Sequence, residues 1–173
     1  MTNPTPLPSR EAPVVETTCG AVRGLWRTSG EARSAAFLGI PFARPPVGEL
    51  RFAAPVPIEP WTGVRDATSF GATPQRGPVA EVTLIPEPSV PGDSTLNVNV
   101  FTPRPGDPSA RMPVLVYIHG GGYVSGSPAS PWYDGESFAR RGVVTVVVSY
   151  RLGFDGFGLI EGAPSNRGVR DWL

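Results

Sequence analysis

The sequence predicts an α/β protein, and three observations carry that prediction. Residues 114–119 and 143–148 are apolar runs rich in β-branched residues, without charge and of strand length. Between them, residues 133–141 have the pattern of a short helix, with an acidic residue near the start, two arginines near the end and a glycine stop. This strand–helix–strand order predicts a parallel crossover. Residues 96–101 alternate strictly between apolar and polar, which predicts a half-buried antiparallel or edge-side strand.

The N-terminal part of the chain predicts short antiparallel strands. Residues 1–12 are polar and proline-rich, so we expect a disordered lead-in before a single unit over residues 13–173. Residues 14–26 have the pattern of a hairpin that turns at a Cys-Gly pair. A further short strand at residues 35–39 stops before a proline, which cannot donate to a ladder. Residues 41–61 contain so many prolines that we expect an extended path over the surface.

The remaining segments complete the prediction in chain order. Residues 63–92 carry little periodic signal and are expected to be loop, with at most a short helical turn. The run at 114–118 reads as a buried strand, and that at 143–148 as a central strand covered on both faces. After Tyr150 we expect loop through Asn166.

Composition excludes several function classes. The 173 residues carry fifteen basic and fifteen acidic side chains; every basic residue is arginine, and none of them cluster. We therefore expect neither a nucleic-acid nor a membrane partner. A single cysteine excludes an intramolecular disulfide, and the polar N-terminus lacks a secretory pattern, so we expect a cytoplasmic protein. No metal-ligand cluster or nucleotide motif is present, so no cofactor is implied.

Three glycines, Gly120, Gly121 and Gly122, follow His119 at the end of the first apolar strand. Glycine adopts positive φ readily, so backbone N–H groups here can face a cleft and hold a developing oxyanion. A His-Gly-Gly-Gly turn after a strand is the oxyanion-loop pattern of lipases and esterases of the α/β-hydrolase fold. The alternatives are a simple tight turn or a phosphate loop, although neither common phosphate-loop glycine pattern is present.

Six ordered motifs resemble the type-B carboxylesterase and cholinesterase-like branch of the α/β-hydrolases. They lie at residues 37–52 (with Pro-Pro-Val-Gly and Leu-Arg-Phe), 60–63, 96–100, 119–122, 150–153 and 166–171. The hormone-sensitive-lipase branch shares the His-Gly-Gly-Gly turn but lacks the Pro-Pro-Val-Gly and Leu-Arg-Phe stretch. The resemblance implies the N-terminal portion of an α/β-hydrolase fold, with small antiparallel strands before a central mixed or parallel sheet.

The resemblance also implies particular side-chain pairs. Secreted members carry a disulfide whose two positions correspond to Thr73 and Thr95 here. We therefore expect the loop between these residues to have no disulfide, in keeping with a reducing compartment. Carrying the family's ion pairs over predicts a partly buried pair between Arg51 and Asp93.

By the same carry-over, Arg151 is expected to pair with Asp171 near the end of the chain. The alternative for each pair is a solvated surface charge that contributes little to stability.

The sequence contains no Gly-x-Ser-x-Gly elbow, and its only histidine is His119 in the glycine turn. An esterase of this kind needs a serine, an acid and a histidine in that chain order. The resemblance therefore implies an incomplete carboxylesterase domain, truncated before the nucleophile elbow and inactive alone. Its unpaired strand edges predict aggregation and weak stability.

The leading hypothesis is a carboxylic-ester hydrolase fragment acting on a small-molecule ester. Gly121 and Gly122 would supply oxyanion donors, and Tyr123 would line the acyl pocket or pack in the core. The alternatives are a truncated, non-catalytic cholinesterase-like binding module or remnant, and a companion polypeptide that supplies the triad.

Overall fold

The computed structural model describes residues 11–29, 32–74 and 84–173 of the chain. The strands are β1 (Val14–Thr17), β2 (Gly20–Arg23), β3 (Leu25–Ser29), β4 (Ala32–Pro41), β5 (Val64–Asp66), β6 (Asn97–Thr102), β7 (Val114–Ile118) and β8 (Val144–Val148). The α-helices are short: α1 (Glu136–Ala139), α2 (Gly153–Phe157) and α3 (Arg167–Arg170). Short 3₁₀ turns lie at Gly48–Leu50 and Pro131–Tyr133. None of the helices in these residues has the length and apolar character needed to cross a bilayer.

The described strands form two sheets. The larger sheet has the strand order β3-β4-β6-β8-β7. Adjacent strands in it are antiparallel, except that the edge strand β7 lies parallel to β8. The smaller has the order β1-β2-β5, with β2 antiparallel to β1 and parallel to β5. The predicted parallel crossover from β7 through α1 to β8 is confirmed. Mixed sheets with few helices fit a partial α/β-hydrolase-like domain.

The long strand β4 buries side chains on both of its faces, because successive residues of a strand point to opposite sides. One face contributes to a cluster made of Ala36, Leu38, Phe101, Ala139 and Val147. The other contributes to a cluster made of Val22, Ala35, Phe37 and Ala67. The first cluster joins α1 to the large sheet, and the second joins the small sheet to it.

In the N-terminal half the hairpin is confirmed between β1 and β2, but residues 25–26 of its predicted second arm belong to β3 in the large sheet. Strand β4 is longer than the predicted strand at 35–39. The loop prediction for 63–92 is wrong at β5, a three-residue strand that pairs with β2. Residues 1–10 of the expected lead-in, and residues 75–83, lie outside the described residues.

In the C-terminal half β6 is antiparallel, as predicted, but it lies inside the large sheet between β4 and β8. The prediction that β7 is buried is wrong: Val114 is 60% and Val116 57% exposed. The reason is that β7 is an edge strand, and in the described part of the chain only β8 lies beside it. The predicted helix at 133–141 shortens to α1, and the predicted loop after Tyr150 contains α2.

The two predicted ion pairs have different outcomes. The Arg51–Asp93 prediction is wrong, because the Arg51 guanidinium contacts Asp155 at 3.1 Å and its side chain is 56% exposed. The Arg151–Asp171 prediction is confirmed. Its Nη2–Oδ1 distance is 2.7 Å, and the two side chains are 3% and 0% exposed.

The side chain of Arg167 holds the glycine-containing helix α2 in place through hydrogen bonds to backbone carbonyls. This fully buried guanidinium donates to four backbone carbonyls, those of Phe154, Asp155, Gly158 and Pro164. Burial lowers the pKa of Arg167, and the nearby Arg151 charge lowers it further. The side chain thus ties α2 and the following loop to α3.

Thr73, the first of the two positions at which the resemblance implies a cysteine in secreted members, is hydrogen-bonded to Val90. The Thr73 amide donates to the Val90 carbonyl at 2.9 Å, and the Val90 amide donates to Thr73 Oγ1 at 3.0 Å. These two hydrogen bonds link Thr73 to Val90 without a covalent bond.

Candidate active site

The glycine loop, residues 119–126, leaves the carboxyl end of β7. Three consecutive residues in it have positive φ: Gly121 at 129°, Gly122 at 62° and Tyr123 at 66°. Left-handed φ values of about 60° suit glycine and strain a side chain. The chain therefore turns sharply where the parallel strand ends, and it carries one strained tyrosine in the turn.

The loop closes on the Gly121 carbonyl. The amides of Val124 and Ser125 donate to that oxygen at 3.2 and 3.1 Å, and Ser125 is fully buried. A Cβ at Gly121 would collide with the Ser125 backbone, whereas a Cβ at Gly122 would meet open space. The loop thus needs glycine at position 121 for space, and at position 122 only for its φ.

The amide N–H groups of Gly121 and Gly122 donate no hydrogen bond within the described part of the chain. Gly122 is exposed, and Gly121 is half-buried. Successive N–H groups in such a turn form a concavity that favours an anion. The structure thus places the two predicted donors next to each other in one turn of the glycine loop.

His119 is a structural residue of the glycine loop. It is 2% exposed, and its Nδ1 lies 3.0 Å from the Gly120 carbonyl. Its ring stacks on Tyr150 with centroids 4.7 Å apart and on Tyr133 at 6.2 Å. A histidine enclosed in this way cannot reach a substrate as a proton acceptor.

Tyr123, the predicted substrate-binding residue, stands beside Gly122 with 52% of its surface exposed. Its ring packs against Phe157 of α2 with centroids 4.6 Å apart, and its carbonyl accepts the Gly153 amide at 2.7 Å. The ring is therefore at the rim of the loop, held from one side by α2.

Sequence reasoning missed the part that Tyr150 plays in this site. The Tyr150 hydroxyl donates to the His119 carbonyl at 2.8 Å, and the residue is 1% exposed. Burial raises the pKa of Tyr150 to about 12. The available signal was a tyrosine two residues after the end of a buried strand, since a buried phenol needs a hydrogen-bond partner.

Two stretches have the first glycine and the serine of the elbow pattern but lack the final glycine: Gly92-Asp93-Ser94-Thr95-Leu96 and Gly135-Glu136-Ser137-Phe138-Ala139. Ser94 lies before strand β6 and not before a helix. A nucleophile elbow is a sharp strand-to-helix turn. Here Ser137 lies in α1, which is preceded by a 3₁₀ turn and not by a strand. Ser137 therefore does not occupy the geometry of a nucleophile.

Comparison with known proteins finds relatives that are named as hydrolases or esterases. The chain is 41% identical over 165 residues to a medium-chain fatty acyl-CoA hydrolase precursor of Anas platyrhynchos, covering 85% of this chain and 28% of the relative. It is 41% identical over 156 residues to carboxylesterase 1D of Rattus norvegicus, covering 84% and 27%. It is 42% identical over 181 residues to acetylcholinesterase of Gallus gallus, covering 92% and 22%.

The chain thus spans about a quarter of the length of these curated relatives. The sequence profile of the carboxylesterase family matches residues 11–173, which is nearly the whole chain. The profile match and the relatives agree with the resemblance found in the motifs. The chain belongs to the carboxylesterase family.

Proposed function

We propose that this chain supplies the oxyanion-stabilising part of a serine carboxylesterase acting on small-molecule esters. The observation that carries the proposal is a pair of amide N–H groups, those of Gly121 and Gly122, that donate to no residue in the described part of the chain. They lie in a turn of positive φ at the end of a parallel strand. Family membership supports an esterase-type activity.

The proposed chemistry is acyl transfer in two steps. A serine hydroxyl attacks the ester carbonyl and gives its proton to a histidine, and the carbonyl oxygen becomes an oxyanion. The Gly121 and Gly122 N–H groups donate to that oxygen, and the intermediate then collapses and expels the alcohol with the proton from histidine. Water hydrolyses the acyl-enzyme by the same steps. Losing one oxyanion donor costs about 3 kcal/mol in the transition state.

The serine, acid and histidine of this reaction are proposed to lie outside residues 1–173. The sequence contains no Gly-x-Ser-x-Gly, and its single histidine, His119, is enclosed by aromatic rings. We call residues 1–173 together with the polypeptide that carries those groups, continuous or separate, the triad-bearing protein. Tyr123, exposed beside Gly122, is proposed to line its acyl pocket.

A cytoplasmic location is part of the same proposal. It is supported by the threonines at positions 73 and 95, where the resemblance implies the two cysteines of a disulfide in secreted members. Fractionation of cells that express the tagged protein tests it, and recovery in the culture medium would contradict it.

The experiment compares the triad-bearing protein with the 173-residue chain on p-nitrophenyl acetate and on a serine-directed fluorophosphonate probe. We expect turnover and labelling in the first and background rates in the second. Absence of both signals in the triad-bearing protein would refute the esterase proposal. It would favour a non-catalytic cholinesterase-like module, the alternative that the missing elbow supports. Turnover by the 173-residue chain alone would contradict both.

A further inference from the structure

The glycine loop is tied to one neighbouring segment, residues 150–153, by two hydrogen bonds. The Tyr150 hydroxyl donates to the His119 carbonyl at 2.8 Å, before the two glycine donors. The Gly153 amide donates to the Tyr123 carbonyl at 2.7 Å, directly after them. These two bonds flank the Gly121 and Gly122 N–H groups, and only the Tyr150 bond is made by a side chain.

The Tyr150 bond is enclosed. The ring stacks on His119 and meets Trp172 edge-on with centroids 5.1 Å apart, and the residue is 1% exposed. Its raised pKa keeps the phenol protonated, and so able to donate, well above neutral pH. A buried carbonyl that loses its donor is destabilised by the full cost of its desolvation, so the His119 carbonyl is held in one position.

Residues 150–153 are in turn a rigid support. Arg151, in the middle of the segment, makes three hydrogen bonds to the Asp171 carboxylate. Its Nη1 also donates to the Ala53 carbonyl at 2.8 Å. The phenol of Tyr150 therefore projects from a segment that Arg151 holds to Asp171 and to Ala53.

We propose that Tyr150 is a positioning residue, which sets the direction of the Gly121 and Gly122 N–H groups through its hydrogen bond to the His119 carbonyl. The inference rests on the proposed function, because it concerns the same oxyanion donors. Because Tyr150 is 1% exposed, we assign it no contact with the substrate. It fixes the point where β7 ends, and a shift of about 1 Å at that point moves the donors off the oxyanion.

The first test is amide exchange in the 173-residue chain with Tyr150→Phe. The matched control is Tyr133→Phe, since Tyr133 packs against the same His119 ring but its hydroxyl makes no hydrogen bond to the glycine loop. Exchange at the Val124 and Ser125 amides should rise about tenfold in Tyr150→Phe and stay unchanged in the control. Unchanged exchange, or an equal rise across β8, would overturn the inference.

The second test is turnover by the triad-bearing protein. Tyr150→Phe should lower kcat on the order of 10- to 100-fold with KM unchanged. It should slow a p-nitrophenyl ester more than its thiono analogue, because sulfur accepts hydrogen bonds weakly. Equal slowing of both substrates, or a kcat equal to that of Tyr133→Phe, would overturn the positioning role. Lack of turnover in the unmutated protein would instead refute the proposed function and leave the exchange result to decide the inference.

Discussion

Replacing Asp171 by asparagine removes a buried negative charge while keeping the shape of the side chain. The Asp171 carboxylate accepts from the Arg151 amide at 3.0 Å, from Nε at 3.0 Å and from Nη2 at 2.7 Å. The two side chains are 0% and 3% exposed, so water cannot replace the lost charge. We therefore expect Asp171→Asn to leave the Arg151 guanidinium buried without a counter-charge.

The expected loss of unfolding free energy is about 3 kcal/mol. Breaking a buried pair by removing one partner costs about 3–5 kcal/mol, and asparagine retains one acceptor oxygen, which favours the lower end. The chain offers a matched control in Arg23–Asp66, a pair with a similar 2.9 Å contact but side chains 44% and 65% exposed. Asp66→Asn should cost less than about 1 kcal/mol.

Urea unfolding of the 173-residue chain, followed by circular dichroism, measures both changes. Equal shifts of the two midpoints would refute the argument that burial decides the strength of these pairs. The double variant Arg151→Met with Asp171→Leu should recover part of the loss, because an apolar replacement leaves no uncompensated charge.

Three further predictions concern the site and its surroundings. Gly121→Ala should lower the free energy of unfolding by about 3 kcal/mol or more, because the added Cβ would collide with Ser125. Gly122→Ala should lower it by only about 1 kcal/mol, because its Cβ would meet open space and only the positive φ is strained. Urea midpoints in the reverse order would contradict the loop geometry. Because the folded-state pKa of Tyr150 is raised from about 10 to about 12, the folded state holds this proton more tightly, and unfolding free energy should fall as pH rises from 10 to 12. Tyr150→Phe should flatten that fall in a pH series of urea midpoints, and an unchanged slope would exclude the assignment. Arg51→Ala should change unfolding free energy by less than about 1 kcal/mol, because its ion pair is exposed; a calorimetric loss several times larger would indicate a buried role.

The sequence predicts elements with strong patterns and misses those held by distant partners. Strand β6 is predicted from the alternation of apolar and polar residues, and strand β8 from a continuous apolar run. β5 has only three residues, two of them charged, and its strand geometry comes from pairing with β2. Helix α2 contains two glycines, which are poor helix formers, and the buried Arg167 holds its carbonyls.

The candidate site divides in the same way. The glycine motif identifies Gly121 and Gly122 because their φ values are a local property of the chain. The partner of Arg51 could not be read from the sequence, since Asp93 and Asp155 are both acidic and only the folded chain decides which lies within reach. The Tyr150 hydrogen bond is likewise a contact across 31 positions of sequence.

Replacing the backbone N–H of Gly122 by an ester oxygen, through incorporation of the corresponding hydroxy acid, tests the central claim most directly. It removes one proposed oxyanion donor and adds no side chain. The same replacement at Gly106 is the control, because that residue lies in the loop at the opposite end of β7. In the triad-bearing protein, we predict that kcat for p-nitrophenyl acetate falls on the order of 100-fold at position 122, with KM unchanged, and stays unchanged at position 106. Equal kcat values for the two replacements would contradict the claim that this turn holds the oxyanion.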